Sequence, residues 1–494
     1  MRYVDALDSL RIYVNGRRFI PLGGNWGFDE HNLLYRSREY DIAVGYHRDM
    51  NFTMIRDWVG QVADESFYEA CDRHGIMVWQ DFWLANPADG PDPYDNRMFL
   101  ENAEDYVRRI RSHACIGLYC GRNEGFPPEA LDRKLREYVH TLSPGMEYIS
   151  HSSSQGVCGG GPYRALPMEE YFTRQSGKIH SERGMPNVMN IESLRRTFSP
   201  DALWPQSLQW GQHDFTLQGA QRSSEFNRLV EQGFGQCASA EEFARRAQLI
   251  NYNGYRAMFE STSRSRAGLL LWMSHPCWPS MVWQTYDYYF EPTAAYFGAK
   301  KACEPLHIQY NALTDSIEVV NHSAGRQPQL MATATVYDLN GKRVCQQKRR
   351  MDNREDTTTA WMKLSTLLPK APSDVWYLRL TLADKRGMLS ENLYIMGREE
   401  GNYRALSSLP KAEVEQQVKH DGPCRMLVTL RNKSKVPATF VRLNLKGGDG
   451  EQILPVLYSD NYITLMPGEQ KTVTIEWKAE DARGQQVNVE TTQL

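Results

Sequence analysis

Residues 52–81 read FTMIRDWVGQVADESFYEACDRHGIMVWQD. Two short apolar runs flank an amphipathic segment from Ser66 to His74, and that segment stops at Gly75. Glycine suits the left-handed position just past a helix. The pattern predicts a strand ending near Arg56, a helix, and a strand over Ile76–Gln80 that runs into Asp81. Strand, helix and strand in immediate succession form a parallel βαβ unit, because parallel strands need a crossover connection.

The same alternation extends outward in both directions. Upstream, FIPLGGNW reads as a first strand ending at Trp26, and Ile42–Met50 as a helix. Downstream come a helix over Met98–Arg111, the strand IGLYC leading into GRNEG, and a helix over Pro128–Leu142 opened by Pro127 and Pro128. Tyr148–His151 and Lys178–Glu182 read as further strands. Ser239 and Glu242 form a capping box for a helix reaching about Phe259, which feeds the strand GLLLWM ending near Met273. Seven strands are legible, and the eighth is expected between Glu182 and Ser239. Eight such units predict an α/β protein built on a (β/α)8 TIM barrel over residues 1–305. Beyond residue 305 the period changes to two, as in SIEVVNHS, LMATATVYDL and KTVTIEW. Two immunoglobulin-like β-sandwich domains are expected there, over 306–402 and 403–494.

The chain has 494 residues, too many for one ordinary domain. It is 41% hydrophobic and 24% charged with net charge −3, which argues against a basic nucleic-acid binder. It contains no apolar run long enough to span a membrane, and MRYVDALDSLRIYVNG lacks the pattern of a signal peptide. Nine cysteines are scattered without ligand spacing, so neither a zinc site nor a disulfide framework is indicated. No cofactor or metal constellation is visible. Aromatic residues make up 11%, including 12 Trp gathered in runs such as WQDFW (79–83) and WMSHPCWPSMVW (272–283). Flat rings of this kind suit the apolar faces of sugars as well as a large core.

A TIM barrel carries its chemistry at the C-terminal strand ends. That rule selects Arg56, Asp81, Glu124 and Glu182. Two glutamates at such positions are the equipment for hydrolysing a glycosidic bond with retention: one carboxyl to protonate the leaving oxygen, one carboxylate to attack the anomeric carbon. Glu192 is a nearby rival for the second role. His151, His180 and His275 also lie near this face and read as structural histidines.

LYCGRNEGFPP (118–128) resembles the acid/base segment of family 2 of the glycoside hydrolases, and IHSERGMPNV (179–188) its nucleophile segment. NFTMIRDW is similar to that family's second strand, and VWQDFW to the VWQDF of its β-mannosidases and endo-β-mannosidases. The long stretch GLLLWMSHPCWPSMVWQTYDYYFEPTAAYFGAKKACEPLHIQY resembles exo-β-glucosaminidases and plant mannosylglycoprotein endo-β-mannosidases. SDNYITLMPGEQKTVTIEW resembles the last sandwich of that branch. The resemblance implies Glu124 as general acid/base and Glu182 as nucleophile. It implies Asn123 on the sugar 2-hydroxyl, Arg56 keeping Glu182 ionised, and Trp272 as the floor of the sugar site. Asp81 and Trp83 are implied as contacts to sugar hydroxyls.

Members of that family usually begin with two β-domains ahead of the barrel. RIYVNGRRFIPLGGNW corresponds to the junction into the barrel, so the missing N-terminal domains are the expected partners, besides a carbohydrate substrate. Those domains would carry any signal peptide, which leaves the compartment open. The Asn–Glu pair, where the exo-β-glucosaminidase branch has Asp, orders the substrates: β-mannoside first, β-glucosaminide second, β-galactoside or β-glucuronide third. The competing readings are a carbohydrate-binding fragment with impaired chemistry and a barrel lyase or aldolase. The latter would want a Schiff-base lysine or a metal at the strand ends.

Overall fold

Seven strands form where the apolar runs predict them. In the computed structural model, which describes residues 1–5, 9–27, 35–218, 222–368 and 372–494, eight parallel strands make one curled sheet. They are β1 Leu22–Trp26, β2 Met54–Asp57, β3 Met77–Asp81, β4 Ile116–Arg122, β5 Glu147–His151, β6 Val157–Cys158, β7 Ile179–Arg183 and β8 Leu269–Leu271. Their spatial order is β5-β4-β3-β2-β1-β8-β7-β6, the cyclic order of a barrel in which β5 and β6 form the two ends of the ladder.

Among the described residues, the eighth strand does not lie between Glu182 and Ser239. The described residues there form helices at Ile191–Thr197, Pro200–Leu203, Leu208–Gln212 and Ser223–Phe234. The remaining strand is β6, two residues long, paired with β7 through Ile179 and His180. It lies inside SSSQGVCGGGP, where no apolar run announces it.

Two compact units divide the chain. The first holds residues 1–164, 174–185 and 261–284. It contains the eight strands and helices α1 Ser37–Asp49, α2 Glu65–His74, α3 Asn96–Ile110 and α4 Glu129–Leu142. Helix α2 ends on Gly75 at φ 71, the left-handed position read from the sequence. Asp95 caps α3 by accepting from the Arg97 and Met98 amides. The barrel interior is filled by Met54, Trp79, Leu118, Cys120, Ile149, Val157, Ile179 and Leu270. Leu10 and Ile12, from an antiparallel hairpin ahead of the barrel, join the same cluster. The Leu10 amide donates to Gly156 O, which ties that hairpin to the entrance of β6.

The second unit holds residues 165–173, 186–260 and 285–494. Its longest helix, Ala240–Glu260, starts with the Glu242 amide on Ser239 Oγ at 3.2 Å and the Glu242 carboxylate on the Ala238 amide at 2.6 Å. Antiparallel sheets of three and four strands follow over residues 306–397, and sheets of four and three over 414–492. Alternate residues such as Leu330, Ala332, Ala334 and Val336 point into the core of the first pair beside their cross-strand neighbours Leu378, Leu380 and Leu382, and Ile308, Ile317 and Val319 enter it from the other sheet. That period-two burial is what a two-faced antiparallel sheet requires.

Candidate active site

The first unit brings together four of the sequence-selected residues around one guanidinium. Arg56 sits on β2 two residues beyond Met54, so it shares the inward face, and it is fully buried. Its Nη1 donates to Glu182 Oε1 at 2.7 Å. Its Nη2 donates to Asp81 Oδ2 at 2.7 Å and to Asn123 Oδ1 at 2.8 Å. Its Nε reaches both Asp81 oxygens, at 3.2 and 3.1 Å. Asp81 also accepts from Trp79 Nε1 at 2.9 Å and from the Val59 amide at 3.1 Å. The fork geometry of arginine lets one side chain hold three acceptors from three different strand ends.

Glu182 faces inward because β7 carries an irregularity. His180 pairs with Leu269 and Arg183 with Leu271, so three steps along β7 oppose two along β8. In a regular strand, residues that share a face with the inward Ile179 are Ser181 and Arg183, not Glu182. A bulge re-aims one side chain in this way. Gly184 next to it leaves no room for a side chain, since a Cβ there would lie 2.4 Å from Trp272 O.

Glu124 follows β4 with φ 43, a left-handed backbone that costs a non-glycine residue about 1 kcal/mol or more. Its amide donates to Ser152 Oγ at 2.9 Å, and that hydroxyl donates to Asn123 Oδ1 at 3.1 Å. Asn123 Oδ1 is thereby turned inward between Ser152 and Arg56, which leaves its Nδ2 as a free donor among the described residues. Asn86 Nδ2 lies 3.4 Å from Glu124 Oε2.

Aromatic rings surround the carboxylates. Trp272, half-buried just past β8, stands edge-on to Trp58 with centroids 4.6 Å apart and packs toward Trp283 at 6.1 Å. Tyr163 lies 5.8 Å from the Trp283 ring and donates its hydroxyl to Glu182 Oε2 at 2.6 Å. Trp83 is not in this group: its ring packs on Phe99 and Tyr106 at 5.9 and 5.1 Å and remains 36% exposed. Glu192 belongs to the second unit, where Arg442 Nη2 holds it at 3.1 Å and Asn444 at 2.8 Å.

Burial raises Glu182 above the ordinary glutamate value; the Arg56 charge opposes this, the Glu124 charge adds to it, and the Tyr163 bond opposes it again. Burial works against the Arg56 charge, yet Asp81 and Glu182 outweigh it and hold the guanidinium protonated. Burial also lowers His180, to about 3, and His275, whose ring stacks on Trp26 at 4.0 Å. Both are neutral packing groups. All nine cysteines are free. Asp72, His113 and Cys115 come within 4.8 Å of one another, but His113 is held between Asp72 at 2.7 Å and Glu65 at 2.8 Å.

Ser152, Tyr163 and Asn86 were not selected from the sequence. The sequence signals nearest to them are the run Ser152–Ser154 just past a strand end and the triple glycine 159–161 ahead of Tyr163. Gly160 and Gly161 have φ of 77° and 80°, and a Cβ on Gly160 would come 3.8 Å from Glu124 Oε1.

Residues 392–493 match the exo-β-D-glucosaminidase Ig-fold domain. The chain is 29% identical over 397 residues to the mannosylglycoprotein endo-β-mannosidase of Lilium longiflorum, covering 68% of this chain and 42% of that one. It is 27% identical over 562 residues to the exo-β-D-glucosaminidase of Hypocrea jecorina, covering 99% and 62%. The chain thus spans about half of the length of these relatives. The crystal structure of the Amycolatopsis orientalis exo-chitosanase CsxA superposes with a TM-score of 0.89 at 21% identity, over 100% of this chain and 66% of that one. A β-D-mannosidase from Dictyoglomus thermophilum superposes at 0.82 and 19% identity, over 98% and 62%. The chain belongs to glycoside hydrolase family 2, in the branch that holds the exo-β-glucosaminidases and β-mannosidases.

Proposed function

We propose that the protein hydrolyses β-glycosides with retention, by double displacement. Glu182 attacks the anomeric carbon as a carboxylate while Glu124 gives its proton to the departing oxygen. Glu124 then takes a proton from water, which attacks the glycosyl–Glu182 bond and releases the sugar. Asn123 Nδ2 donates to the hydroxyl beside the reacting carbon, and Trp272 lies under the ring. The observation that carries this reading is the Arg56 guanidinium shared by Glu182, Asp81 and Asn123. It gives Glu182 a fixed orientation and a reason to remain ionised, while Glu124 stands outside that grip and is free to exchange a proton.

The charge inventory favours a neutral sugar, with a β-mannoside first. An amino sugar would want an unengaged carboxylate for its ammonium group. Asp81 is occupied by Arg56, Trp79 and Val59, and Asp57 by Gln80 Nε2 at 2.6 Å and the Val62 amide at 3.0 Å. The second reading is an exo-β-glucosaminidase, supported by a relative of that name matching 99% of the chain.

The test is hydrolysis of aryl β-mannoside, β-glucosaminide, β-galactoside and β-glucuronide by the full-length protein and its Glu124→Ala and Glu182→Ala variants. Turnover of one sugar, lost in Glu182→Ala and restored by azide in Glu124→Ala, is the expected result, with the first-formed product keeping the β configuration by NMR. Silence across the panel, or turnover that survives Glu182→Ala, refutes the proposal.

A further inference from the structure

Two residues on the rim beside Glu124 take no part in the Arg56 cluster. Phe126, two positions beyond Glu124, is 55% exposed. Its ring stands edge-on to the imidazole of His151, the last residue of β5, with centroids 4.8 Å apart and planes at 77°. A large apolar ring in water, propped by a neighbour in a fixed pose, is ready to cover another flat surface.

The proton on His151 can be located. Its Nδ1 accepts the Ser153 backbone N–H at 3.0 Å. A backbone amide only donates, so Nδ1 carries no hydrogen and the proton of the neutral ring is on Nε2. Burial lowers the pKa of this histidine, with Glu124 opposing, so the ring is neutral at pH 7. Its Nε2–H is then a donor with no protein partner among the described residues.

A polar loop also reaches Glu124. The Asn123 amide donates to Leu84 O at 2.9 Å, and Arg122 Nε to Ala85 O at 2.8 Å. These bonds hold the loop after β3 over Glu124 and aim the Asn86 amide at its carboxylate. An apolar face, an outward N–H and a second amide therefore gather around Glu124, apart from the Arg56 cluster that holds Glu182.

We propose that Phe126 and His151 form a leaving-group subsite that takes the ring of a second sugar. Phe126 covers the C–H face of that pyranose, and His151 Nε2–H donates to one of its hydroxyls. The inference rests on the reading of Glu124 as acid/base: the glycosidic oxygen must meet that carboxyl, so the departing ring lies on the side of Glu124 away from Glu182. It narrows the substrate to β-linked oligosaccharides whose leaving group is itself a sugar.

The test compares kcat/KM of the full-length protein for a β-linked disaccharide with that for the methyl β-glycoside of the same terminal sugar. In Phe126→Ala and His151→Leu the disaccharide-to-methyl ratio is expected to fall about tenfold, the loss of one stacked ring or one hydrogen bond. His151→Gln, which keeps a neutral N–H donor, should restore most of the ratio. An unchanged ratio, whether both substrates fall together or neither falls, overturns the subsite while leaving the glutamate roles intact. Absence of turnover of either substrate by the unmodified protein overturns the subsite and the proposed reaction together. Thermal melts of the variants show whether a parallel fall is a folding loss.

Discussion

Replacing Arg56 by methionine removes the guanidinium that Glu182, Asp81 and Asn123 share while keeping a long apolar stem against the Trp79 ring, which lies 5.2 Å from the guanidinium carbon. The side chains of Arg56 and Asp81 are wholly buried and that of Glu182 is 3% exposed, so no water replaces the lost donors cheaply. Breaking a buried pair from one side leaves an uncompensated charge and costs about 3–5 kcal/mol. The loss should depend on pH with a definite sign. Without the arginine, Glu182, which burial already raises, shifts further up, so the folded variant binds a proton that the unfolded chain does not. Stability of the variant relative to the parent is then least impaired near pH 5 and falls as pH rises. Urea unfolding followed by tryptophan fluorescence suits the measurement, because seven of the 12 tryptophans (26, 58, 79, 83, 272, 278 and 283) lie in the barrel unit. Adding Asp81→Asn to Arg56→Met should recover part of the stability by removing one orphaned charge. A loss below about 1 kcal/mol at neutral pH, or one that is flat between pH 5 and 8, would refute the view of Arg56 as the electrostatic hub.

Other consequences can be checked on the same protein. Tyr163→Phe deletes the 2.6 Å bond to Glu182 and should move the acid limb of kcat/KM to higher pH, with a loss of roughly 10- to 100-fold on that limb that shrinks toward alkaline pH. Ser152→Ala frees the Glu124 amide and the Asn123 oxygen, so turnover should fall by about tenfold for poor leaving groups and much less for dinitrophenyl glycosides, which need little acid assistance. Equal losses on both would make Ser152 merely structural. Asp287, in the second unit, accepts two backbone N–H bonds on Oδ1; burial and the neighbouring Glu291 push it up to about 7. Folding therefore favours its protonated form, and its cost to stability grows as pH rises from about 4 to 7. Asp287→Asn should raise the unfolding midpoint at pH 8 and make little difference at pH 4.

Much of the barrel is legible because burial writes it into the sequence. A strand covered on both faces must be apolar throughout, as Leu269–Leu271 is, and the first residues past it stand out because they break that rule. Arg56 and Asp81 are visible for this reason, each being the first charge after an uncharged run, and Glu124 follows the uncharged run 116–121 closely, two residues past Arg122. Strand β6 escapes the same logic. Two residues bury too little to need an apolar run, and the glycines around it are required by the loop rather than by the sheet.

The polar supports of the site escape for a different reason. Ser152 and Tyr163 matter through what they touch, and neither contact follows from spacing in the chain. Ser152 meets Glu124 across 28 positions and Tyr163 meets Glu182 across 19, distances set by how β5, β6 and β7 line up. Even Glu182 illustrates the limit. Its motif marks it as a candidate, yet strict alternation from Ile179 would turn it away from Arg56. Only the extra residue in β7, a property of the pairing with β8, brings it inside. Removing Ser181 would delete that extra residue. It would return β7 to even register with Glu182 two positions from Ile179 and still inward, so hydrolysis should persist, whereas removing His180 and Ser181 together would turn Glu182 out of the barrel, leave Arg56 with Asp81 and Asn123 alone, and abolish turnover.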